Sequence, residues 1–295
     1  MIDKSNDVVP GAAVTELRDF EFEDYIAADA SPAVRALQVM ASYDCLRLGT
    51  YRDRECVHEK IRIERQFGAL ILRYDDVGYF NRVYAPDETI AGHLDYIERF
   101  YRDSRFGCEL VTVCDDRSAL ASACSDRGWF PSHKYAWVHM NTGAPGVGGE
   151  YPAISIRQPL EHERTEFLEF YLRGFGAPEA SFPAAIRNMR HLFFNLPQLH
   201  FMIASREGID AAIGMLCVFG KTALLSAGTT LPEHRKHGCH HAVIAARIRL
   251  ARSLGCTDVV SIAYADGESH HNMESLGLRT VNVTQAWRFK GELLS

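Results

Sequence analysis

Residues 229–241 read Thr229-Thr230-Leu231-Pro232-Glu233-His234-Arg235-Lys236-His237-Gly238-Cys239-His240-His241. The run ahead of them, Thr222–Thr230, reads as a strand. The run behind, residues 239–254, reads as a helix. Val243, Ala246, Leu250 and Leu254 mark one face of it, Arg247, Arg249 and Arg252 the other, and Gly255 closes it. A strand that passes through a polar turn into a helix makes an anion site. The first turn of a helix leaves about four backbone N–H groups without partners, and the helix dipole favours negative charge there. Gly238 permits close approach of a ligand or a positive φ, and Arg235 and Lys236 add charge beside it. A phosphate or pyrophosphate is the guest that suits this arrangement.

Working outward, Ala153–Arg157 alternates like a strand. A helix is expected over 160–174, where Phe167, Phe170, Tyr171 and Phe175 recur at helical spacing, and a second from Phe182 to Phe194. His200–Ser205 and Ala211–Phe219 read as two strands about a tight turn. Asp258–Tyr264 is a further strand, Ser269–Leu276 a short helix stopped by Gly277, and Val281–Phe289 a last strand. The order β-α-α-β-β-β-α-β-α-β predicts an antiparallel meander, then a right-handed crossover that sets two strands parallel.

The first half ends in the same way. Leu110–Val113 reads as a strand, Arg117–Asp126 as a helix with Gly128 as its stop, and Pro131–Met140 as a strand. Gly128 to Trp137 spans nine residues and Gly277 to Trp287 ten, a weak internal repeat that predicts two copies of one fold. Between the copies, six of the twelve residues 141–152 are Gly or Pro, as in a linker. The expected organisation is therefore an acidic N-terminal extension (1–30), a first domain (31–140), the linker (141–152) and a second domain (153–295).

With these elements in place, the block resembles the GNAT superfamily of acyl-CoA-dependent N-acyltransferases. The family fingerprint is Pro-x-x-Arg-x-x-Gly-x-Gly/Ala between a strand and a helix; here it is Pro232-Glu-His-Arg235-Lys-His-Gly238-Cys-His240. The helix Ala242–Gly255 is similar to the family's, as are Ser269-x-x-Asn272-x-x-x-Leu276-Gly277-Leu278 and the first strand Ile154-Ser-Ile-Arg157. The first half resembles the degenerate GNAT-like domain of tandem members. The fold class expected is thus α/β, two GNAT-like domains, each a mixed, mostly antiparallel sheet flanked by helices.

The resemblance implies a co-substrate, acetyl-CoA or another acyl-CoA, and no metal. Its pyrophosphate would lie on the backbone of Arg235, Lys236, His237, Gly238, Cys239 and His240. Its pantetheine arm would add like a strand beside Gly228, Thr229, Thr230 and Leu231, with Ser269 and Asn272 in contact. A backbone N–H near Leu231 would polarise the thioester carbonyl, which the acceptor amine attacks directly. Two positions depart from the family pattern: His240 stands where Gly or Ala is usual, and Met273 where many relatives carry a proton-donating Tyr.

Candidates for the chemistry follow, each beside a plainer reading. Glu233 and His234 are either a general base for the acceptor or solvated residues at a helix start. Tyr264 is either the missing proton donor or a half-buried sheet tyrosine, and Ser269 either a ligand contact or an N-cap. Cys239 reads as packing, although helix N–H groups would lower its pKa. The histidines around 234–241 and 270–271 suggest a polar rim titrating near pH 6.5. In the first half, Asn81-Arg82-Val83-Tyr84 resembles a short element of tandem relatives, and either helps bind acceptor or closes a turn.

Composition sets the bounds. Of 295 residues 47% are hydrophobic and 24% charged, as in a globular chain with a full core. Net charge is −6, all of it within residues 1–30, so a nucleic-acid partner is not expected. Eight scattered cysteines without a Cys-x-x-Cys pair fit a reducing, cytoplasmic setting and no zinc site. No apolar run is long enough to cross a membrane. The function expected is N-acyl transfer to a small-molecule amine or amino-acid-like acceptor by a monomer or homodimer. A non-catalytic acyl-CoA sensor, or another acyl-CoA chemistry such as decarboxylation or O-acyl transfer, stands as the alternative.

Overall fold

The computed structural model describes residues 25–143 and 151–291, apart from positions 28, 56 and 195. Most of the acidic extension and residues 144–150 of the expected linker lie outside the described residues.

The second half folds as its sequence pattern predicts. Strand β6 (Ile154–Arg157) leads to helices α4 (Arg164–Gly174) and α5 (Phe182–Phe193). The meander β7 (Leu199–Arg206), β8 (Ile209–Phe219) and β9 (Thr222–Thr230) follows. Helix α6 (Cys239–Ser253) then crosses to β10 (Asp258–Tyr264), α7 (Glu268–Ser275) and β11 (Arg279–Phe289). The first half holds α1 (Pro32–Glu55), the hairpin β1 (Ile61–Gln66) and β2 (Ala69–Tyr74), and β3 (Arg82–Ala85). After these come α2 (Leu94–Tyr101), β4 (Cys108–Thr112), α3 (Ala119–Asp126) and β5 (Phe130–Asn141).

The sheet corrects one expectation. In place of one sheet per half, a single eleven-stranded sheet runs through the chain in the order β1-β2-β3-β4-β11-β5-β10-β9-β8-β7-β6. The last strands of the halves are interleaved. β11 lies between β4 and β5, and β5 lies between β11 and β10, all antiparallel. Only β3 with β4 and β9 with β10 pair parallel, at equivalent places in the two halves. The repeat is therefore present in the topology, but each copy is completed by a strand of the other. Thr284 fastens the exchange: its hydroxyl donates to the Thr112 carbonyl (2.7 Å) and accepts from Trp137 Nε1 (2.9 Å).

Helices cover both faces. α1, α4 and α5 share one core with the sheet residues Leu70, Leu72, Trp137, Ile213 and Val260. On the other face, α2 and α3 pack over Ile71, Val83 and Leu110, while α6 and α7 pack over Val138, Leu216 and Val259. α1 is buried without a break from Ala36 to Gly49, because it crosses the sheet where the halves meet and α5 lies over it. That path carries Asp44 and Arg47 into the interior.

Among the described residues, no helix is long and apolar enough to cross a membrane. The seven described cysteines are free.

Candidate functional site

The crossover builds the site. β9 and β10 pair only at Thr222–Leu224 and Asp258–Val260, and beyond them the strands part. At the fork, Ser261 Oγ donates to the Leu225 carbonyl (2.7 Å). β9 also bulges there. Ser226 opposes Met215 and Thr229 opposes Ile213, so Ala227 and Gly228 face the single residue Gly214, and Ala227 takes a φ of 47°. The bulge takes the Ala227 and Gly228 backbone out of the regular ladder pairing.

Arg247 of α6 supports the bulge from behind. Its Nη1 donates to the carbonyls of Met215 (3.1 Å) and Ser226 (3.0 Å), and its Nε to that of Val243 (3.3 Å). No carboxylate is among these partners, and burial pulls Arg247 down to about 9, still charged at neutral pH. Gly228 is required by this approach, since a Cβ there would lie 2.9 Å from Arg247 Nη2 and 3.3 Å from His240 Nε2.

A cavity of about 450 Å³ fills the fork and extends under the first half. Its floor is Leu225–Gly228 and Ser261–Tyr264, with His240, Ile244, Arg247, Ser269 and Met273 on the helix side. The far wall is Tyr43, Arg47, Tyr79, Arg82, Tyr84 and Tyr135. Asp44 lies behind that wall, fully buried, accepting from Arg47, from Tyr84 and from Arg82 Nη1 at 3.4 Å. Burial opposes the charge on Arg47, but Tyr43, Asp44 and Tyr79 outweigh it and raise its pKa well above the ordinary value.

The backbone of the loop before α6 takes the conformation that Gly238 permits. Gly238 has a φ of 81° and is the N-cap of α6, and no side chain caps that end of the helix. Arg235, Lys236 and His237 are exposed around it. Cys239 is buried among Ala204, Ala211, Ala212 and Val243, and burial raises its pKa where the helix start alone predicts a fall.

His240 neither crowds the loop nor points outward. It turns into the cavity, where Asn272 Nδ2 lies 2.9 Å from its Nδ1. With the Asn272 amide oriented in this way, Nδ1 accepts and the proton sits on Nε2, toward Gly228. Burial, then the charges of Arg247 and His241, depress His240 to about 3. The ring is thus neutral down to low pH and does not belong to a rim titrating near pH 6.5. The unfolded chain binds a proton here between about pH 6.5 and 3 and the folded chain does not, so this contribution is complete above pH 6.5 and lost on acidification. His240→Gln should flatten the acid limb of a stability-against-pH curve, by about 2–3 kcal/mol at pH 4 after a discount for the ring's partial solvent contact. Urea melts from pH 7 to 4 check this; parallel curves for both proteins would refute it.

Other candidates fall on both sides. Leu231 N–H donates to the Ala211 carbonyl (3.1 Å), so the polarising donor expected there is engaged. Thr229 and Thr230 are buried at the end of β9 and do not line the cavity. Glu233 and His234 sit on a single turn outside it, Glu233 exposed. Tyr264 is neither half-buried nor deep. It is 57% exposed at the mouth and stacks on Tyr135 at 5.6 Å. Ser269 lines the cavity, while the N-cap of α7 is Gly267. Asn81 closes a turn: its side chain accepts from Tyr74 N–H (2.8 Å) and donates to Ser104 Oγ (2.8 Å), whereas Arg82 and Tyr84 reach the cavity. Asp266, His270 and His271 gather ligand atoms within 4.8 Å, but both His270 nitrogens are occupied, by Asp266 N–H (3.2 Å) and Thr280 Oγ1 (2.7 Å).

Asp44 and Arg47 have no counterpart in the sequence reading. The available signal is two charges three residues apart in a run that is otherwise apolar or small.

No family model and no curated protein matches this sequence. Solved structures do. A GCN5-related N-acetyltransferase from Kribbella flavida aligns with a TM-score of 0.61 at 14% identity, covering 83% of this chain and 95% of that one. Another from Sphaerobacter thermophilus aligns at 0.57 and 13%, covering 78% and 76%. A tandem GNAT protein from the clavulanic acid biosynthesis pathway aligns at 0.54 and 13%, covering 75% and 78%. The chain has the GNAT fold.

Proposed function

We propose that this chain with a GNAT fold is an acyl-CoA-dependent N-acyltransferase, with acetyl-CoA as the preferred donor. The observation that carries the reading is the fork between β9 and β10, bulged at Ala227–Gly228 and aligned with the Gly238 loop at the start of α6. An extended thioester arm fits along the parted edge of β9, with its diphosphate on the loop. Acetyl-CoA supplies the activated acyl group.

The residues present then have definite tasks. The Ala227 and Gly228 N–H groups face the carbonyl oxygen and take up the negative charge that grows on it. The acceptor nitrogen enters from the side of Tyr79 and Arg82, bonds to the acyl carbon, and the carbon–sulfur bond breaks. His240 Nε2–H donates a hydrogen bond to the departing thiolate, as a neutral imidazole can when its pKa is depressed. It thereby does what Met273, a thioether, cannot. The proton released by the ammonium passes to solvent.

A non-catalytic acyl-CoA sensor is the second reading. It is favoured by one observation: Asp44 is covered by its donors, and Glu233 lies outside the cavity, so neither is placed to take the acceptor's proton.

Titration calorimetry of the full chain with acetyl-CoA is the test, followed by thiol release with a panel of amines. One micromolar site per chain and turnover are expected. Gly238→Glu should weaken binding at least 100-fold, because it places bulk and negative charge against the diphosphate. Unchanged affinity in that variant would remove the loop from the site. Binding without turnover on any amine would favour the sensor.

A further inference from the structure

The far wall of the cavity has a chemistry of its own, and it bears on what the acceptor is. Its polar groups are donors. Arg47 presents a guanidinium whose Nε is buried without a partner, clamped over the rings of Tyr43 (4.1 Å) and Phe80 (5.0 Å). Arg82 lies over the Tyr79 ring at 4.2 Å, and the Tyr79 hydroxyl is 3.5 Å from Arg47 Nη2. The acids nearby are spent. Asp44 is covered by Arg47, Arg82 and Tyr84. Glu109 accepts from Ser132 (2.9 Å) and Tyr135 (3.3 Å), pairs with Arg82 at 3.5 Å, and does not line the cavity.

Three guanidinium groups, Arg47, Arg82 and Arg247, thus line a space into which no carboxylate points among the described residues. A cationic acceptor without an anionic group would find no carboxylate lining the cavity to pair with. A carboxylate would meet a planar fork suited to it. The rest of this end is aromatic: Tyr171 of α4 and Phe175 just after it line the cavity with Tyr43, and Phe175 is 55% exposed at the rim.

Resting on the acyltransferase reading, we propose that the acceptor is an amine that also carries a carboxylate and an apolar body, of the class of apolar or aromatic α-amino acids. Arg82 and Arg47 bind the carboxylate, and Tyr43, Tyr171 and Phe175 hold the apolar part. The amine is left directed at the bulge, where the acyl carbon lies. Arg82 is then a specificity residue, and the buried Asp44 fixes the pose of both guanidinium groups.

The test uses isosteric pairs on the full wild-type chain. With acetyl-CoA, L-phenylalanine should exceed L-phenylalaninamide at least 30-fold in kcat/KM, because a site built to bind a charged group rejects the analogue lacking it. Without acetyl-CoA, 3-phenylpropionate should bind at least tenfold more tightly than 3-phenylpropanamide by calorimetry. Arg82→Met should abolish both preferences, and Arg82→Lys should restore part of the binding preference. Turnover of the amide equal to or above that of the acid would overturn the proposal and leave acyl transfer standing. Selective carboxylate binding with no turnover of any amine would uphold this site and remove the acyltransferase reading. No preference in either assay overturns the proposal outright.

Discussion

A chain ending at Gly277 should fail to accumulate as a folded protein, although it lacks only the last strand. β11 is not an edge. It sits between β4 and β5, and its loss opens β4 at Cys108–Leu110 and β5 over most of Phe130–His139. The Trp137–Thr284–Thr112 bridge goes with it, as does the bond from Asn282 Nδ2 to the Val113 carbonyl (2.7 Å). The ladder, these bonds and the buried Thr284 and Ala286 together amount to about 10 kcal/mol or more, as much as the whole stability of a typical domain. Two unpaired central edges also invite aggregation. The same geometry predicts that residues 151–295 alone will not fold, since β5 is missing between β10 and β11. Co-expression of 1–143 with 151–295 should restore a soluble complex with a cooperative melt. A truncated chain with native near-ultraviolet dichroism would contradict the interleaving.

Asp44→Asn should cost about 3–5 kcal/mol, the largest effect expected of any isosteric change in the cavity wall. The substitution keeps the shape and removes the charge, so no cavity term enters. It leaves Arg47 and Arg82, which are buried or nearly so, without the carboxylate that faces both. Removing one member of a buried ionic set is expensive because the desolvated partner remains. Tyr84 also loses its charged acceptor. Urea unfolding should show a lower midpoint with an unchanged slope. Tyr84→Phe, which removes only a hydroxyl, should cost about 1–2 kcal/mol by comparison. A loss below 1 kcal/mol in Asp44→Asn would mean that solvent reaches the pair.

The second half was legible because Gly and Pro punctuate its elements, although its strands β8 and β9 are buried nearly throughout. Helix α6 was placed by its flanking glycines, although Arg247, read on its polar face, is buried and Leu254, read on its apolar face, is exposed. Turns at Gly220, Gly255 and Gly277 punctuate the strands, and the boundaries fall within two residues of those expected except at α4, which begins at Arg164 rather than 160. No helix or strand was assigned in the stretch from 31 to 107. α1 is buried around its circumference, so it has no polar face to mark a period. β2 is buried at every position from Ala69 to Tyr74 and shows no alternation. The turn before it places Phe67 at a φ of 52°, a residue that gives no turn signal.

Pairing was hidden for a different reason. Local pattern identifies a strand but not its neighbours, and the partners of β5 lie more than a hundred residues away. Hence the repeat was visible and the interleaving was not. In the site, the Gly238 loop was readable because backbone and charge act within one turn. The turn of His240 toward Asn272, and the meeting of Asp44, Arg47 and Arg82, depend on elements distant in sequence.

The interleaved strands also order events in time. While the polypeptide is being made, β4 and β5 emerge early and then wait for residues 279–289 to appear between them. At about 5–20 residues per second that delay is roughly 10–30 s, far longer than local helix or hairpin formation. Through that interval the nascent first half cannot close its sheet, and its open strands are exposed to other ribosome-bound copies and to chaperones. Closure of the first half is therefore held back until residues 279–289 have emerged, and the protein's yield in a cell should depend on the speed of elongation across residues 142–278 more than on that across residues 31–141.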